Sequence, residues 1–461
     1  MKRLFTSIAF ASLAAVTFAG GLLTNTNQSA SFVRNPARYA SLSTDAIYFN
    51  PAGTAFFNEG WSFSANWQMI WQQRDAIDKT MGQNVKYDGK VYVPCMPTLF
   101  AAYKTGDWTF SGFFGMPGGG GKAEFDNGLP SFKYLADGIF KKAFNATIEQ
   151  MNNNPEDSYI QQGLSYANGG ATVVAGSQFE STQYMFALQL GAAYKFTENL
   201  SAYAGVRANY ISNNYKGSIF GTINGTVNVE HPIAGVVGSK TIEKEQAISV
   251  DMNQSGIAFA PIVGVDYKVG NFNFAAKYEF RAVTTVENDT KTPEVAAVLP
   301  SFADGYKLRS DAPSLLTLAG SWQIIPRLQV MAGWNYYFDK DAKVESLLDG
   351  SDNMKKLSRN TFEYTFGAEF KLTEKLLLSA GIQYSNYGIN DAYTSDLAFV
   401  NDCFMTGLGG KYSLTDKVDI NFGYCYANYA PDYDIISIAP GLSTRYERKT
   451  HNATIGVDFR L

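Results

Sequence analysis

The chain has 461 residues, rich in Gly (42), Tyr (28) and Phe (33), with only 17% of positions charged. A mean hydropathy of −0.15 is too low for a bundle of membrane-crossing helices, and a soluble enzyme of this length carries more charge and fewer aromatics. The net charge of −4 excludes a basic footprint for nucleic acid.

The first residues read as an export signal, expected over 1–19. Lys2 and Arg3 precede an apolar core from Leu4 to Phe18, and Thr17-Phe18-Ala19 offers small residues at the cleavage positions. Beyond it no run approaches the ~18 apolar residues of a membrane-crossing helix. An exported chain can still cross a membrane as a closed barrel, which satisfies every backbone group in lipid.

Residues 20–58 do not alternate between apolar and polar. They carry Asn35-Pro36-Ala37 and then Asp45-Ala46-Ile47-Tyr48-Phe49-Asn50-Pro51-Ala52-Gly53. Their apolar content argues against disorder, so this segment is expected to fold into a lumen as a plug, or hatch.

From residue 59 to 461 the sequence alternates, the period of a strand with one face in lipid and one in water. In the last segment Ala453, Ile455, Val457, Phe459 and Leu461 share one face; Asn452, Thr454, Gly456, Asp458 and Arg460 share the other. Fourteen segments of this kind are predicted, at 60–74, 90–103, 107–116, 179–196, 199–212, 251–268, 271–286, 309–324, 327–339, 360–372, 376–388, 402–414, 418–430 and 448–461. Tight connections such as Thr197-Glu198-Asn199 and Thr415-Asp416-Lys417 alternate strictly with long ones. Short periplasmic turns and long external loops are the signature of an outer-membrane barrel. The fold class is therefore all-β: a 14-stranded antiparallel transmembrane β-barrel with an N-terminal plug and a helical external loop.

Trp61, Trp67, Trp71, Tyr184, Tyr194, Trp334 and Phe338 fall on outward faces, as interfacial girdles require. Charges fall on inward faces, among them Arg207, Lys277, Glu279, Arg281, Glu363 and Glu369. Most belong to a wet, ion-paired interior. Arg207, Lys277 and Arg281 are the candidates for pairing with a ligand carboxylate.

Two loop features carry chemistry. Gly115-Met116-Pro117-Gly118 ends a third strand that reads as short. Glycine removes side chains and proline a ladder donor, so pairing should fail there and open the wall sideways. Over 131–151, Phe132, Leu135, Ile139, Phe140 and Phe144 form one apolar stripe at helical spacing. The stripe suits capture of a hydrophobic solute or packing onto the barrel mouth.

The stretch at 45–53, with Pro97-Thr98-Leu99-Phe100-Ala101-Ala102-Tyr103 and Pro261-Ile262-Val263-Gly264-Val265-Asp266-Tyr267-Lys268, resembles the FadL-type outer-membrane transporters of long-chain fatty acids and other hydrophobic compounds. The resemblance spans the mature chain. It implies that the N-terminal segment closes the lumen, with Asn50, Pro51 and Ala52 as its hatch motif. It further implies that a hydrophobic ligand is captured outside, passes to a luminal site and leaves sideways into the membrane at a kinked third strand. The best-known members place helices in the third and fourth external loops, whereas here the clearest helix is in the second. The chain also ends on Leu461 where an aromatic is usual.

The expected function is outer-membrane transport of hydrophobic molecules by passive diffusion, in a Gram-negative bacterium. The partners are a hydrophobic small molecule such as a long-chain fatty acid, the lipid membrane and the barrel-assembly machinery, with the barrel a monomer. No cofactor or metal is expected: His231 and His451 have no ligand-like neighbours, and Cys95, Cys403 and Cys425 suit no disulfide framework. A general porin or surface adhesin is the alternative. A barrel enzyme lacks a positioned base near its serines.

Overall fold

The computed structural model describes residues 22–297, 299–347, 350–396, 399–430, 435–436 and 443–461. The expected export signal lies outside the described residues. Fourteen strands form a closed antiparallel ring. They are β1 (Gly60–Asp78), β2 (Val85–Thr105), β3 (Trp108–Phe125), β4 (Ser165–Lys195), β5 (Leu200–His231), β6 (Gly235–Val269) and β7 (Phe272–Glu279). On the other half are β8 (Leu315–Ile325), β9 (Leu328–Tyr337), β10 (Thr361–Lys371), β11 (Leu376–Asn386), β12 (Cys403–Ser413), β13 (Val418–Tyr429) and β14 (Ser443–Arg460). The ring closes where β14 pairs with β1, from Ser62↔Arg460 to Asp78↔Thr444.

Alternation builds this wall. Along β1, Ser64, Asn66, Gln68 and Gln72 are buried, while Trp61, Trp67, Met69 and Trp71 are exposed. Hydrocarbon takes the second set, and the lumen with its contents takes the first. The short turns at 106–107, 196–199, 270–271, 326–327, 372–375 and 414–417 share one end of the barrel. Both chain ends of the wall meet there: the Trp61 N–H donates to the Leu461 carbonyl at 3.2 Å.

Two expectations are corrected. The third strand is not short: it runs on to Phe125, its glycines absorbed as bulges against β4. The seventh stops at Glu279 instead of reaching 286. Pro261 of β6 accepts from the Phe280 N–H at 2.9 Å but has no N–H to return, so the ladder ends. Residues Thr285–Thr290 then pair higher on β6.

Inside the ring lies the chain from 22 to 58. It forms α1 (Ala30–Arg34), α2 (Ala46–Phe49) and a 3₁₀ turn, Pro51–Phe56. Ser29 caps α1, its hydroxyl accepting from the Phe32 N–H at 2.9 Å. Phe32 stacks on Phe49 with ring centroids 5.0 Å apart, and Tyr39 meets Phe49 edge-on at 5.7 Å. The plug is tied to the wall by charge. Glu369 of β10 receives Arg34 at 2.8 Å and Arg38 at 2.9 Å, and Arg38 also holds Asp45 at 2.9 Å.

Such close seating needs a wall without side chains. A Cβ on Gly407 of β12 would collide with the Val33 carbonyl, and one on Gly367 of β10 with the Asn35 side chain. Gly407→Val is therefore expected to push α1 off the wall while the strands still pair. In planar bilayers its ion conductance should rise severalfold over the unaltered chain. Unchanged conductance from a folded variant would mean that closure does not depend on this contact.

Candidate functional site

The hatch motif fastens the plug to the wall near the short-turn end of the barrel. Asn50 Nδ2 donates to Asp266 Oδ2 of β6 at 2.5 Å and to the Ser41 carbonyl at 3.1 Å. Asn273 Nδ2 of β7 reaches the same Asp266 oxygen at 2.9 Å. Pro51 starts the 3₁₀ turn, and the Ala52 carbonyl accepts from Ser201 Oγ at 2.7 Å. Two of the motifs singled out in sequence, at 45–53 and 261–268, thus meet in one hydrogen bond.

Above this joint, plug and wall line a pocket of about 450 Å³ counted to its open side. Thr24, Thr26 and Tyr48 contribute from the plug; Pro117, Arg207 and Glu279 contribute from the wall. Arg207 and Lys277 converge on Glu279, at 2.6 Å and 2.7 Å. Arg207 also donates to Gln189 Oε1 at 2.7 Å, and Lys277 to the Tyr48 carbonyl at 2.9 Å. The Tyr48 ring faces both cations, 4.6 Å from the Arg207 guanidinium and 5.2 Å from the Lys277 ammonium. Two cations share one carboxylate, so the cluster keeps a positive excess in a buried setting. Arg281 does not join them. It lies past the end of β7, its side chain 42% exposed, near Asp311 at the rim.

The wall is interrupted beside this pocket. β2 and β3 pair from Leu99↔Phe114 to Thr105↔Trp108 and again at Val91↔Ala123 and Lys90↔Glu124. Between these blocks, residues 92–98 and 115–122 do not pair with each other. Pro94, Pro97 and Pro117 lack donors, and Gly119 and Gly121 adopt φ of +84° and +80°, open to glycine at little cost. Gly115, Met116, Pro117 and Gly118 are all buried, because the start of the plug covers them. The Asn25 N–H donates to the Pro117 carbonyl at 2.6 Å and Gln28 Nε2 to the Met116 carbonyl at 3.0 Å. From the other edge, Thr98 Oγ1 donates to the Gln28 carbonyl at 2.6 Å.

On the external side, α3 (Pro130–Asn152) carries the expected stripe. Phe132, Phe140 and Phe144 are buried against the extensions of β4 and β5, so these three pack. Leu135 and Ile139 instead line, with Phe132, an apolar pocket of about 430 Å³ counted to its open side. Val295, Leu299 and Phe302 of the fourth external loop form its opposite wall. Sequence reasoning missed the buried clamp of Arg34, Arg38, Asp45 and Glu369, and also the role of Glu279 as common partner. Glu279 carried a signal, being the inward charge two residues from Lys277 on one strand face.

The family model of outer membrane transport proteins (OMPP1/FadL/TodX) matches residues 144–447. Among solved structures, a FadL homologue of Pseudomonas aeruginosa superposes with a TM-score of 0.61 at 15% identity, covering 96% of this chain and 100% of that one. The toluene transporter TodX of Pseudomonas putida gives 0.53 at 14%, covering 91% and 94%. The toluene transporter TbuX of Ralstonia pickettii gives 0.51 at 14%, covering 91% and 94%. At such identities the likeness is one of fold. No curated protein matches the chain. The family consists of transport channels for hydrophobic compounds in the Gram-negative outer membrane, not of enzymes. The match over residues 144–447 takes in most of the barrel, and the chain belongs to the OMPP1/FadL/TodX family of outer-membrane transport proteins.

Proposed function

We propose that the transported compound is a hydrophobic molecule with an acidic head, a long-chain fatty acid or similar, moving down its gradient and leaving sideways through the wall. The observation that carries this reading is the missing β2–β3 pairing over 92–98 and 115–122, with Pro117 on its edge and in the lining of the luminal pocket.

Each stage has a physical driving force. The external pocket presents apolar side chains, and burying an acyl chain returns about 0.8 kcal/mol per methylene. The luminal pocket is lined by Arg207, which shares the single carboxylate of Glu279 with Lys277 behind it, a positive excess that suits a carboxylate. The axial route is unfavourable. The plug fills it, and beyond the plug a vestibule of about 1,420 Å³ is lined by charges including Lys411, Asp419 and Arg460. An apolar solute loses its burial there, whereas the sideways route ends in hydrocarbon. Residues 25–28 would have to leave the edges of the interruption, exchanging a few hydrogen bonds for access. The same filled lumen counts against a general porin. Neutral aromatic compounds are the second reading, favoured by the uncharged lining of the external pocket.

Two experiments test this. A side chain at Gly118 would meet the Leu23 carbonyl and Met185. Gly118→Trp is expected to cut oleate uptake by proteoliposomes about tenfold or more, a rise of roughly 1.4 kcal/mol in effective barrier, while the barrel still folds. Full uptake would rule out the sideways exit. For the head group, Arg207→Ala and Lys277→Ala should weaken oleate binding and leave toluene binding unchanged. Equal loss of both ligands would favour the neutral aromatic reading.

A further inference from the structure

The outward tryptophans of β1 are not all of one kind. Trp61 and Trp71 stand ten residues apart on one face (71 − 61), about the number a tilted strand needs to cross hydrocarbon. They mark its two borders. Trp67 lies between them, 54% exposed to lipid, deeper than an interfacial girdle requires. An indole N–H at that depth needs a partner within the protein. Trp67 Nε1 donates to the Pro94 carbonyl of β2 at 2.9 Å.

Pro94 is where β2 leaves register with β1. Gln68 pairs with Met96 and Ile70 with Val93, so Pro94 and Cys95 together face Met69 alone. A bulge of this kind bends its strand, and both residues are exposed. On its other side this stretch of β2 has no pairing with β3. The indole of Trp67 ties the bulge to β1 from the lipid side.

The two edges of the interruption are held differently. On the β3 edge, the Met116 and Pro117 carbonyls are bonded by Gln28 and Asn25 of the plug. The β2 edge also reaches the plug, through the Thr98 hydroxyl and the Met96 sulfur. It alone keeps a tie to an unbroken part of the wall, because β1 pairs with β14 without interruption from Ser62 to Asp78.

We propose that Trp67 is a positioning residue for release of the solute. Its indole fixes the β2 bulge as the stationary jamb of the sideways exit, and the opening widens by movement of the plug and the β3 edge. The proposal rests on the reading that solute leaves through the wall. Without the indole bond the bulge has no fixed place, and the passage loses its width.

The test pairs oleate uptake by proteoliposomes, over a range of oleate concentrations, with the mobility of a spin label on Cys95 of separately labelled protein. Cys403 and Cys425 are buried, so Cys95 takes the label. Trp67→Phe keeps an aromatic ring and removes the N–H. It should loosen the label and lower maximal uptake about fivefold, with the half-saturating concentration unchanged. Trp67→Gln, whose amide can donate to the same carbonyl, should regain much of both. Trp71→Phe, on the same face at the border, should alter neither. Full uptake in a folded Trp67→Phe would overturn the role, and so would a loss that Trp67→Gln does not regain. Gly118→Trp judges the exit separately. Full uptake there removes the exit and the jamb with it, whereas blocked uptake there beside full uptake in Trp67→Phe removes the jamb alone.

Discussion

Hydrocarbon offers no hydrogen bonds, so every N–H and C=O of a membrane wall must find its partner within the protein. The ring from β1 to β14 meets that demand almost everywhere by strand pairing. It fails to do so between β2 and β3, where proline and glycine take donors and regular geometry away. The plug answers from inside, Asn25 and Gln28 bonding the carbonyls of Pro117 and Met116. One short segment therefore closes the lumen and completes the wall.

This double duty explains why the plug is anchored so heavily elsewhere. The Glu369 clamp on Arg34 and Arg38, the Asn50–Asp266 joint and the bare glycine floor at Gly367 and Gly407 hold residues 29–56. Residues 22–28 are tied by fewer and mostly backbone-directed bonds. The part held by buried ion pairs is thus distinguished by its electrostatics from the part that the proposed sideways exit would require to move. Breaking a buried ion pair costs about 3–5 kcal/mol, a hydrogen bond typically about 1 kcal/mol.

The wall was legible in sequence because strand period and lipid exposure impose the same alternation, and short turns sit between alternating runs. β8 to β13 match their expected ranges within a few residues except the start of β8. The upper parts of β4, β5 and β6 were not legible: outside lipid, runs such as 213–218 and 239–246 keep no apolar face. The glycine run read as a strand end, yet positive φ at Gly119 and Gly121 makes bulges that let β3 continue along β4. Arg281 was placed in the lumen because nothing in its neighbourhood marks Pro261, twenty positions earlier in sequence but bonded to the adjoining Phe280 in the sheet, as the end of the ladder. Of the site, Arg207 and Lys277 followed from inward alternation. Their partner Glu279 and the Arg34–Glu369 contact needed the fold, the latter joining residues 335 positions apart.

The length of β4 to β6 bears on where a solute is first met. A tilted strand crosses hydrocarbon in about 9–11 residues. Gly217, in the lining of the external pocket, is 17 residues from the periplasmic start of β5 at Leu200 (217 − 200). The pocket is therefore carried on a stiff mast above the bilayer, at the level of the surface carbohydrate. On the proposed route, a greasy molecule arriving from outside would meet an apolar foothold within the polar sugar layer that would otherwise turn it back.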